Sequence, residues 1–349
     1  MIKCNDNVTI METRPDVIRV FANNAIGNGN CFYDSIYKAL VCSGRMDHNV
    51  FSSNNTTAAV SLRNKVADLI EQDIEFIDGN RVSEALRSMY ELFDVEKATI
   101  ARGNVQGFRI NGAELGNLER EITSSTALER IDRNGDDALN VQYAKILREP
   151  HRLNTPGSYY YASHIEVLVF QTWLIIKYNI VMLVDGMSNS IDHNSVVLAE
   201  RVRYQAASYK NANDIIAASD ETFGISPAEG EGDVIMVKSN NIHYNWLAWM
   251  LPGRSPATHF LNSGISLENM RTVFQTHGSL ELETGDSGII THTTDSESYL
   301  RRERNIAVET TLYKKPKWNR CENHKLRLKR VLSIMCRLAP MITATASTT

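Results

Sequence analysis

The sequence predicts an α+β domain, in layers, with a small central sheet flanked by helices. Three observations carry this. Apolar residues recur at helical spacing through the first hundred residues. Short β-branched runs cluster after residue 180, and Gly/Asn-rich turns separate the two kinds of segment.

Residues 1–14 read as a lead-in, followed by a short strand with Val17, Ile18 and Val20 in its apolar positions. Phe32, Ile36, Ala39 and Leu40 then have helical spacing, so Cys31 sits at or near a helix N-terminus. A second helix is expected over about 57–76 and a third over about 82–97. Residues 99–157 are rich in Gly, Asn and charge and read as an inserted arm with one or two short helices. The segment from Ser163 to Tyr178 suits a core helix and leads into the strand "IVMLVDG". "SVVLAERV" and "DVIMVK" read as further strands, with 203–232 as loops, and an Asn-Asn turn opens a last aromatic strand, "HYNWLAWM". These elements define a domain over 15–252, a weakly patterned extension over 253–300, and a basic amphipathic tail over 301–349 with a frayed end.

The 349 residues are 43% apolar and 22% charged, which fits a globular chain and excludes collagenous or wholly disordered classes. The longest apolar run, Val167 to Val184, is interrupted by Gln171, Lys177 and Asn179, and the N-terminus lacks a secretory apolar core. Five irregularly spaced cysteines argue against a disulfide framework, and no CxxC pair suggests zinc. A reducing, cytoplasmic setting and no cofactor are therefore expected. The net charge of −4 hides a split, because 301–337 carries twelve Lys and Arg against three Glu. That segment has three readings: a helix packed on the domain, a contact with nucleic acid or a membrane surface, or a targeting address.

The stretch "GNGNCFYDSI" places Gly27, Asn28, Gly29 and Asn30 against Cys31. A thiol attacks as the thiolate, and a helix N-terminus favours that anion. Glycines let the backbone fold closely round a substrate carbonyl and aim N–H groups at the developing oxyanion. The alternative is an ordinary turn before a buried helix, since most free cysteines are inert core residues. His243 supplies what the loop lacks. Strand alternation sends His243 and Asn245 to one face and Tyr244 and Trp246 to the other. His243 is then a base, and Asn245 a polar group able to hold its ring.

On these residues the chain resembles the ovarian tumour (OTU) family of cysteine proteases, which are deubiquitinases with a papain-like fold. "GNGNCFYDSI" is similar to the family's G-D-G-N-C-[LF]-[FY]-x-[SA]-[IL] motif, and "IHYNWL" to its H-Y-[ND]-x-[LV] motif. "LRNKVADLI" and "YASHIEVLVFQTWLIIKYNIVMLVD" resemble its intervening helix and helix–strand segments, in the same order. The resemblance covers roughly 20–252. It implies Cys31 as nucleophile, His243 as general base, Asn245 as its orienter, and Gly27 to Asn30 as oxyanion loop. Asn28 stands where Asp is usual, and Tyr161 where Trp is usual. Tyr244 and Trp246 are expected at the substrate-binding surface, and the 99–157 arm beside it. The implied partner is ubiquitin or a polyubiquitin chain, cleaved at a glycine–lysine isopeptide bond. The divergent form is similar to OTU enzymes of viruses and intracellular bacteria, which would place it in a host cytoplasm. Two alternatives stay open: an inactive ubiquitin-binding module on the same fold, and a protein acting mainly through its basic tail.

Overall fold

A computed structural model describes residues 18–25, 27, 29–47, 55–101, 104–105, 108–109, 126–151, 158–186, 190–212, 215, 223–240, 243–252 and 259–284. The expectations for the lead-in, for Asn28 and for the basic tail lie outside these residues.

Strand β1 (Arg19–Asn24) leads into helix α1 (Cys31–Cys42), then α2 (Asn55–Glu71) and α3 (Val82–Ala101). A two-stranded ribbon, β2 (Asn104–Val105) and β3 (Phe108–Arg109), precedes α4 (Leu139–Arg148). Helix α5 (His164–Tyr178) follows and runs straight into β4 (Ile180–Asp185). Next come β5 (Ser190–Asp192), α6 (His193–Ala207), β6 (Asp233–Asn240) and β7 (His243–Pro252). The described chain closes with β8 (His259–Asn262), β9 (Gly264–Ser266), α7 (Leu267–His277) and β10 (Ser279–Thr284).

The α+β class holds, and the sheet is larger than the small one expected. Eight strands are joined among the described residues in the order β4-β6-β7-β1-β10-β5, with β8 on β7 and β9 on β6. Its pairings are mixed: β4–β6 and β1–β10 are parallel, β6–β7 and β7–β1 antiparallel. Strand alternation divides the core into two. On one face Ile235, Val237, Tyr244, Trp246 and Ala248 pack with α1, α2, α4 and α5. On the other, Val234, Met236, Leu247 and Trp249 pack with α6 and α7. No helix among the described residues is long and apolar enough to cross a membrane.

Three expectations are corrected. "SVVLAERV" is part of helix α6, because Asp192 caps its first turn by accepting from the Asn194 amide at 2.8 Å. Val196, Ala199 and Val202 face inward at helical spacing, while Val197 and Leu198 point out. Residues 99–157 are not an arm alone. Their helix α4 buries Tyr143, Ala144 and Leu147 against the core, beside α2. The described part of 253–300 completes the sheet, since β10 is the parallel neighbour of β1. Cys42, at the end of α1, is wholly buried in the first core, as its place on the apolar helix face led one to expect.

Candidate active site

The loop before α1 is shaped by what passes over it. Gly29 has φ +85°, and a Cβ there would overlap the backbone of Tyr159. Only glycine satisfies both demands. The covering segment is pinned by Arg63 of α2, whose side chain is wholly buried. Its Nε donates to the Leu147 carbonyl at 3.1 Å and both terminal nitrogens donate to the Tyr160 carbonyl. The guanidinium lies 5.0 Å from the Tyr33 ring centroid and 4.9 Å from that of Tyr159. So the arginine of the second helix, α4 and the 158–161 segment together hold down the loop that carries the cysteine. Gly27, by contrast, is exposed with open space around it.

Cys31 is the first residue of α1, a cysteine outside any disulfide and only 1% exposed. Asn30 before it is buried and does not cap the helix with its side chain. Burial pushes the Cys31 thiol up to about 11, against the pull of hydrogen bonds from the amides of Tyr244, Phe32 and Cys31 itself. The low-pKa thiolate expected from the helix N-terminus is therefore corrected: in the resting molecule desolvation outweighs the amides. Those amides bring N–H donors to the sulfur from the start of both α1 and β7.

The Tyr244 amide belongs to the residue that follows His243, so β7 begins beside the thiol. Ser35, one turn along α1, donates to the Tyr244 carbonyl at 3.1 Å and fixes helix against strand. His243 is half-buried; burial holds its pKa below the usual histidine value, and Asp34, Lys38 and Asn245 adjust it further. Asp34 and Asn245 favour the protonated ring, and Lys38 opposes it. Asn245 Oδ1 is buried without a hydrogen bond of standard geometry, although its approach to the ring is felt. The Asn245 side chain lies beside the His243 ring. At neutral pH the resting site holds a thiol and an uncharged imidazole.

Tyr244 and Trp246 do not form a substrate-binding surface. They are 8% and 5% exposed, because the odd-even alternation that frees His243 turns them under α1. The Phe32 and Tyr244 rings meet edge to face at 5.0 Å, and the Tyr244 hydroxyl donates to the Ala162 carbonyl at 3.4 Å. Three neighbours of the site were missed as contributors. Tyr161, noticed only as a departure from a motif, lies close enough to the sulfur to be affected by it, its phenol pushed up by burial and by Cys31. Asp34 and Lys38 form a buried ion pair at 3.0 Å. Their i,i+4 spacing was a legible signal, but such pairs ordinarily face solvent.

Among the described residues no group of His, Cys, Asp and Glu is gathered in a way that would hold a metal ion. Comparison with protein-family models, with curated proteins and with solved structures found no match to this chain.

Proposed function

We propose that this chain is a thiol isopeptidase of the OTU type, which hydrolyses the bond between the C-terminal glycine of ubiquitin or a ubiquitin-like protein and a lysine. The observation that supports it is the meeting of α1 and β7: Cys31 at a helix N-terminus, ringed by amides, beside a strand that opens His243-x-Asn245. Because thiol and imidazole rest uncharged, the proton leaves Sγ for the His243 ring as sulfur attacks the glycine carbonyl. The oxyanion formed is met by the amides at the start of α1. His243 then gives the proton to the departing lysine amine, and water, deprotonated by the same ring, hydrolyses the thioester.

Ubiquitin bearing a C-terminal electrophile should form a covalent adduct with the full chain, and Cys31→Ala should remove it. An adduct that survives that substitution overturns the assignment. A second reading is favoured by the burial of the thiol and its high pKa: the same fold acting as a ubiquitin-binding module. It predicts ubiquitin binding without turnover of any di-ubiquitin linkage.

A further inference from the structure

The ion pair one turn beyond Cys31 has an unusual place. Asp34 and Lys38 are fully buried on both sides of a 3.0 Å contact, where charge is costly unless it is paired. Lys38 Nζ also donates to the Asn24 carbonyl at 3.3 Å, at the end of β1. Asn24 is the strand partner of Asn245, the residue expected to hold the His243 ring. The pair therefore ties α1 to the backbone directly opposite Asn245.

We propose that the Asp34–Lys38 pair is a positioning device for His243, with Asp34 as the acid that steadies the ring when it is protonated and Lys38 as the counter-charge that limits it. This deepens the reading of Cys31 and His243 as a catalytic pair and rests on it. Among the described residues, the titratable groups on the elements packed round the ring include these. From α1 come Asp34, Lys38 and the Cys31 thiol. From β6 comes Lys238, in register with Asn245 and beside Asp185 of β4. Strand β1 offers Asn24, which does not titrate. Of these, Asp34 and Lys38 are the ones whose charges reach His243, with opposite sign, and Asp34 acts more strongly than Lys38 or Asn245. Asp34 also disfavours the Cys31 thiolate, so its service is to the base and not to the nucleophile. Neither residue touches the reacting atoms, and both act through His243.

The test is an NMR titration of the His243 ring protons in the full chain, with His243→Gln to assign them, run alongside the pH profile of Cys31 alkylation by iodoacetamide. Asp34→Asn should move the His243 titration to lower pH, and, by lifting its charge from beside the thiol, should move Cys31 alkylation to lower pH as well. Lys38→Met should move the His243 titration to higher pH. A purely structural pair would not split the two in opposite directions, so shifts of the same sign, or none, overturn the proposal. Where a single variant leaves a buried charge and does not fold, Asp34→Asn/Lys38→Met leaves none. Its His243 titration should still fall, and an unchanged titration overturns the proposal. If wild-type protein forms no ubiquitin adduct while the titrations split, the isopeptidase reading fails and the pair's control of His243 stands. If the adduct forms while the titrations do not move, the pair's role fails alone.

Discussion

At the scale of single residues, Cys31 sets two opposed influences against each other, and burial wins. The folded chain holds the thiol proton to about pH 11, whereas an exposed cysteine gives it up near 9.0. Below pH 9 both folded and unfolded chains are protonated at this residue, and its contribution to stability is fully present. Between 9 and about 11 only the unfolded chain releases the proton, so stability falls as pH rises. The loss across that window is about 2 to 3 kcal/mol, at ~1.4 kcal/mol per pH unit. Denaturant midpoints measured from pH 8 to 11 should therefore decline less steeply for Cys31→Ala than for wild type. Gly29 carries a different kind of constraint. Gly29→Ala should cost at least ~1 to 3 kcal/mol, from strain at positive φ and overlap with the Tyr159 backbone. It should slow Cys31 alkylation as well, while a substitution at Gly27, in open space, should change stability little.

Among the elements, α5 and α6 show how far local signals reach. Helix α5 carries a full capping box: the Glu166 carboxylate accepts from the Ser163 amide at 2.8 Å and from its hydroxyl, and Ser163 Oγ accepts from the Ile165 amide. Asn179 closes it in the left-handed region at φ 54°. Its expected span and its observed one agree because caps and apolar period point the same way. In α6 the β-branched run "SVV" spoke for a strand, and the Asp192 cap was needed to decide for a helix. Arg63 of α2 acts between elements. Arg63→Met removes the donors to the Leu147 and Tyr160 carbonyls and should cost about 3 kcal/mol in an unfolding titration. It should also loosen the 158–161 segment, read as faster amide exchange there and faster modification of Cys31.

For the whole molecule, the sheet decides where the domain stops. Strands β8, β9 and β10 pair with β7, β6 and β1, and α7 places Leu267, Met270, Val273 and Phe274 over the second core. A chain cut after Pro252 would bare the β1 edge and strip α7 and β9 from that core. It should lose cooperative unfolding and aggregate, whereas a chain ending at Ile290 should keep a single unfolding transition. Retained cooperativity in the shorter chain would contradict this account of the sheet.

The sequence by itself determined the local things: helices where apolar period and caps agree, the alternation along β7, and Cys31, His243 and Asn245 as the residues to watch. These follow from neighbours a few positions apart, and side-chain chemistry and strand period suffice to read them. Tertiary structure alone decided that β10 completes the sheet beside β1, that α4 is core, and that Tyr244 and Trp246 are covered by α1. It also decided the charge state of the site. A pKa depends on what surrounds the group in space, and burial at Cys31 comes from segments far along the chain, with strand β7 laid against α1. The same is true of Asp34 and Lys38, an unremarkable i,i+4 pair on paper. Lys38 meets the backbone opposite Asn245 because folding carries strand β7, some two hundred residues away, to the first turns of the helix.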